Sequence, residues 1–63
     1  MDVKEWGPEA IRDLRRRRRQ SLRELAADLG VSHQAVWLWE TNRGVPTRYR
    51  TIRALDALDR QTQ

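Results

Sequence analysis

The chain has 63 residues, enough for one small domain, and a domain of that size buries only about 60% of the surface its unfolded chain exposes. It contains no cysteine, which excludes disulfide and thiolate-metal staples and agrees with a reducing compartment. Its 13 Lys and Arg outnumber its 9 Asp and Glu, for a formal net charge of +4, and this favours a polyanionic partner such as nucleic acid or an anionic membrane surface.

The first seven residues are short and polar except for Val3 and Trp6, and Trp6 is expected to pack over one end of a bundle. Gly7-Pro8 marks a helix start with proline at its first position, and a helix is expected over 8–19. Glu9 and Asp13 lie toward its positive end and Arg15 to Arg19 toward its negative end, an order that suits the helix dipole. Ile11, Leu14 and Arg18 share one face, with Arg15 beside them and turned toward the core. Five consecutive helical arginines point around most of a cylinder. The run therefore reads mainly as a solvated face with at most one or two phosphate contacts.

Ser21-Leu22-Arg23-Glu24 has the spacing of a capping box, so a second helix is expected over 21–29, with Leu22, Leu25, Ala26 and Leu29 as its apolar stripe. Gly30 stands where a chain leaving a helix needs positive φ. Val31 is expected to point back into the core, and Ser32 is an N-cap for a third helix over 33–42. On that helix Ala35, Val36 and Trp39 face inward, whereas His33, Gln34, Trp37, Leu38 and Thr41 face outward. Glycine and proline punctuate the loop from Thr41 to Pro46. Thr47 is expected to cap a last helix over 48–59, lined by Ile52, Leu55 and Leu58 and fading near Arg60. No strand pattern, internal repeat or linker is present, so the expectation is one all-α domain of four helices over 1–63.

Leu25-Ala26-x-x-Leu29-Gly30-Val31-Ser32, then Gln34-Ala35-Val36-x-x-Trp39-Glu40, then Gly44-x-Pro46, resembles the helix-turn-helix of the Cro and phage-repressor type, which is also common in bacterial regulators and antitoxins. The resemblance runs from about Ile11 to Leu58. It departs from the family at Leu22, where a glutamine that contacts the DNA backbone is frequent. It implies a compact four-helix domain whose third helix enters the major groove while the second crosses the backbone. It also implies an ion pair between an arginine of the first helix and the glutamate of the third, here Arg15 and Glu40, because a buried guanidinium needs a carboxylate partner.

The resemblance puts His33, Gln34 and Leu38 at base-contacting positions. Gln34 can make a bidentate pair with adenine, His33 can donate to or accept from a purine edge, and Leu38 or Trp37 can touch a thymine methyl. Phosphate contacts are expected from Ser21 and the amides at the start of the second helix, and from Arg23, Ser32, Thr41, Asn42 and Arg43. Arg48, Tyr49 and Arg50 extend the set. Trp37 keeps three readings open at this point: a DNA contact, burial against a neighbouring helix, or a protein interface.

A single histidine, no cysteine and scattered carboxylates supply no nucleophile-base pair or metal cluster, so the chain is expected to be no enzyme and to use no cofactor or metal. No run approaches the roughly 20 apolar residues that span a bilayer, and no apolar leader segment follows the N-terminus. The expected function is sequence-specific binding of double-stranded DNA by a transcriptional repressor or regulator, cytoplasmic and nucleoid-associated. A designed DNA-binding domain on the same scaffold fits equally. The resemblance implies a homodimer on a two-fold site, with half-sites about 10–10.5 base pairs apart, while so compact a chain leaves a monomer open. The competing reading is an antitoxin-like or coactivator-like protein-interaction module, since fold does not decide function. RNA or membrane binding through the arginine run ranks last, for want of stacking platforms and a wide apolar face.

Overall fold

The computed structural model describes residues 6–62, so Val3 and the polar start of the chain lie outside it. Four helices follow one another: α1 (Pro8–Arg17), α2 (Leu22–Leu29), α3 (His33–Glu40) and α4 (Tyr49–Thr62), with no strand among the described residues. The third helix packs against α2 and α1, and the fourth against α1 and α2.

Each helix starts where local chemistry satisfies its free amides. Gly7, in extended conformation, precedes Pro8 at the head of α1, and Ile11 N–H closes the first turn onto the Gly7 carbonyl. At α2 the capping box forms in both directions: Ser21 Oγ accepts from Glu24 N–H, and the Glu24 carboxylate accepts from Ser21 N–H. Ser32 Oγ accepts from Ala35 N–H at the head of α3. The fourth helix begins differently from the sequence expectation. Its first turn closes from Ile52 N–H onto the Arg48 carbonyl, which makes Arg48 the capping position and leaves Thr47 one residue too early to cap.

Three helices end by the same closure, in which two successive amides bond back to carbonyls of the last turn and so satisfy groups the helix leaves free. Arg19 and Gln20 donate to Arg16 and Arg15, Gly30 and Val31 to Ala27 and Ala26, Asn42 and Arg43 to Trp39 and Leu38. The pivot is left-handed each time, with φ of 54° at Arg19, 72° at Gly30 and 61° at Asn42. Two boundaries therefore fall short of the expected ones: α1 stops at Arg17 instead of 19, and α3 at Glu40 instead of 42. The last helix runs on to Thr62, past the expected 59, because its final turn is tied to α1 through Asp59 and Thr62.

All four helices feed one core. Ile11 and Leu14 from α1, Leu25 from α2, Val36 from α3 and Leu55 from α4 are completely buried. Each contributes about 1.5–3 kcal/mol by leaving water. Trp6, Ala26, Leu29 and Trp39 complete the cluster, with Leu22, Val31, Ile52 and Leu58 around it. Trp6 is pinned by its indole N–H, which donates to Asp56 at 2.8 Å.

The arginine run is largely exposed, with Arg16, Arg17 and Arg19 on the surface and Arg15 and Arg18 half-buried, but it also has a structural role that its composition does not suggest. Three of its members clip α1 to the three other helices: Arg15 to Glu40 of α3, Arg17 to Asp59 of α4 at 2.8 Å, and Arg18 to Asp28 of α2 at 3.3 Å. Arg17 also pairs with Asp13 one turn back, and its guanidinium is held further into the basic range first by the hydrogen bond to Asp59. Arg16 and Arg19 are exposed and have no such partner among the described residues. Counting charges by type missed this, because each acidic partner lies on a different element.

Candidate nucleic-acid interface

The placement of α3 depends on its last residue. Glu40 is buried, at 6% exposure, and its carboxylate accepts from Arg15 Nε at 2.6 Å and Arg15 Nη2 at 2.9 Å, a two-pronged pair across the α1–α3 contact. Arg12 adds a bond from Nη2 to the Glu40 main-chain carbonyl at 2.9 Å and stands 3.6 Å from its carboxylate. The Glu40 hydrogen bond raises the Arg15 pKa above its already strongly basic value. This arrangement turns the only acid of α3 into the protein, so the solvent-facing side of the helix carries no negative charge.

On that side Gln34, Trp37, Leu38 and Thr41 are exposed, with Trp37 at 45% and Leu38 at 40%. They lie three or four residues apart and form one continuous strip. His33 is different: it is half-buried, beside Arg23, Ala26 and Ala27 of α2. Trp39 and Val36 are inward, as the core requires.

Two shallow depressions flank the head of α3. One is lined by Arg23, Ala26, Ala27, Val31, Ser32 and His33. The other carries Ser32, Ala35, Pro46, Thr47 and Arg48 among its lining. Ser32 belongs to both, so a cation stands on either side of the capped end of the helix. Arg50 is exposed one residue into α4, and the Tyr49 ring, 74% exposed, has the Arg53 guanidinium 5.7 Å from its centroid.

The remaining candidates are constrained by bonds already made. Ser21 and Ser32 use a lone pair in capping and keep their hydroxyl protons to donate. Thr41 does not: its hydroxyl donates to the carbonyls of Trp37 and Leu38 at 2.9 and 3.3 Å. A phosphate contact from Thr41 requires giving that up. The Glu24 carboxylate at the head of α2 further weakens that helix end as an anion site, since it already occupies the Ser21 amide. Asn42 is the left-handed pivot after α3, and Arg43 folds back so that its guanidinium lies 5.6 Å from the centre of the Trp37 ring. The structure thus brings Gln34, Trp37, Leu38 and Arg43 together and leaves Tyr49 and Arg50 on a separate element. Among the described residues no group of three or more His, Cys, Asp or Glu is placed to hold a metal ion, and no helix is long and apolar enough to cross a membrane.

Arg12 is the contributor that sequence reasoning missed. Its spacing from Ile11 marks it only as a surface arginine, and the acceptor it finds is a main-chain carbonyl on another helix. Comparison with protein-family models, with curated proteins and with solved structures returns no match to this chain.

Proposed function

We propose that the chain is a sequence-specific double-stranded DNA-binding domain of the phage-repressor helix-turn-helix type, with α3 as its recognition helix. One observation carries this reading: a strip of α3 free of exposed carboxylates, bearing Gln34, Trp37 and Leu38, is bracketed by arginines at Arg23 and Arg48. The α2 and α3 helices are joined by a corner of three residues, Gly30 to Ser32, which suits a pair in which one helix braces the other. Gln34 pairs with adenine through its two-sided amide, and Leu38 meets a thymine methyl. Arg23 and Arg48, with the Ser32 hydroxyl, hold phosphates on either side of the groove and set the register. A transcriptional regulator or repressor is the role that this reading favours. Exposed Trp37 and Val45 keep the protein-interaction module as the second reading.

The test is selection from a randomised duplex library, then titration of the enriched and a scrambled duplex across salt. The proposal expects a short enriched motif, tighter binding to it than to the scramble at every salt concentration, and log affinity falling linearly with log salt. Two half-motifs about 10–10.5 base pairs apart report a dimer, and a single one reports a monomer. Salt-sensitive binding with no enriched motif leaves only a nonspecific cation and sinks the proposal.

A further inference from the structure

The pairing of Trp37 with Arg43 has a structural origin that points to a role. Arg43 lies just past the end of α3, where its amide donates to the Leu38 carbonyl at 2.9 Å and the left-handed Asn42 turns the chain. The base of its side chain is therefore fixed by the helix closure itself. Its guanidinium returns over the Trp37 ring, on the strip that also carries Gln34 and Leu38. Trp37 is three residues from Gln34, so the two are neighbours on the helix surface.

We propose that Arg43 reads a guanine in the major groove and that Trp37 is its positioning residue, making no base contact of its own. This rests on the DNA-binding reading above and replaces the phosphate role that sequence position alone gives Arg43. A guanidinium fork can meet either a phosphate or a guanine through two parallel bonds, and what favours the base is the place of Arg43 over Trp37, on the strip that carries Gln34 and Leu38. A planar two-donor fork matches guanine O6 and N7, and a guanidinium held near an indole face by a cation–π contact loses less freedom on meeting them. Arg43 makes no side-chain hydrogen bond among the described residues, so its donors remain available. The cation–π pair also accounts for a large aromatic left 45% exposed on a helix otherwise suited to reading bases.

The experiment selects duplexes with the wild type, Arg43→Ala, Trp37→Leu and the double variant, and measures each on the wild-type motif and on the same motif with its guanine replaced. The expected result is a guanine preference of about 10- to 100-fold in the wild type, lost in Arg43→Ala. Trp37→Leu weakens the preference at that same position and leaves the Gln34 position intact, and the double variant is no worse than Arg43→Ala. Both side chains lie on the surface, so the variants are expected to fold, and a circular-dichroism melt checks this. If Arg43→Ala keeps the motif while lowering affinity evenly and reducing the salt slope by about one, Arg43 is a phosphate contact and the inference fails alone. If Trp37→Leu alters a different base position, Trp37 is itself a reader and the inference fails. A wild type that enriches nothing overturns this inference and the DNA-binding reading together.

Discussion

Replacing Glu40 with alanine removes both carboxylate oxygens from Arg15 and leaves a guanidinium whose side chain is only 23% exposed. Breaking a buried pair by deleting one partner costs about 3–5 kcal/mol. Arg15 keeps its bond from Nη1 to the Gln20 carbonyl at 3.2 Å and some solvent, which places the expected loss near the lower bound, about 3 kcal/mol. A domain of this length is stable by roughly 3–9 kcal/mol in all, so the variant sits close to unfolding. In a thermal melt the loss corresponds to a fall of about 12–24 °C. The double variant Arg15→Met with Glu40→Leu removes both charges and fills the space with apolar atoms, and it is expected to recover most of the stability. The assay is urea unfolding monitored by circular dichroism of the wild type, Arg15→Met, Glu40→Leu and their double variant, with the interaction energy taken from that cycle and Glu40→Ala measured beside it. Because the Arg15 pKa is raised, its contribution is present at every pH below its ordinary value and is lost only as pH climbs through the raised one. The arginine side of the cycle is thus constant across neutral pH. A Glu40→Ala cost below about 1 kcal/mol, or a double variant as unstable as the sum of the singles, refutes the claim that this pair holds α3 in place.

Three further expectations concern the helix ends and the phosphate contact proposed for Arg48. Arg19→Gly relieves a left-handed residue whose side chain makes no hydrogen bond or ion pair among the described residues, and is expected to raise stability by about 0.5–1 kcal/mol, read as a melting point higher by several degrees. Gly30→Ala has open space around the added carbon but φ of 72°, so backbone strain alone is expected to cost about 1 kcal/mol in urea unfolding. Arg48→Ala is expected to leave the selected motif unchanged and lower the salt slope by about one in duplex titrations.

The sequence made three of the four helix starts plain and the helix stops only partly so. Gly7-Pro8, the Ser21–Glu24 box and Ser32 act through their nearest neighbours, and local chemistry of that kind can be read without a fold. The stops at Arg17 and Glu40 share their geometry with the stop at Leu29, but only Gly30 advertises it. Arginine and asparagine at the other two pivots are held left-handed by the closing hydrogen bonds, which form only once the chain has turned back toward the core. The start of α4 at Tyr49 was hidden similarly, since Thr47 looks like a cap but Arg48 occupies that place. In the candidate interface the outward strip of α3 came from helical spacing. The half-buried His33, the engaged Thr41 hydroxyl and the return of Arg43 over Trp37 did not, because each depends on a partner fixed only by three-dimensional packing.

The central claim is that α3 reads base sequence, and Gln34 is the residue on which it turns. The direct measurement is to repeat the duplex selection with Gln34→Ala beside the wild type. The account predicts that one position of the motif, an adenine, becomes degenerate at a cost of about 1–3 kcal/mol on the original duplex, while the remaining positions and the salt slope stay as they were. An unchanged motif, or affinity lost evenly across all sequences, contradicts it.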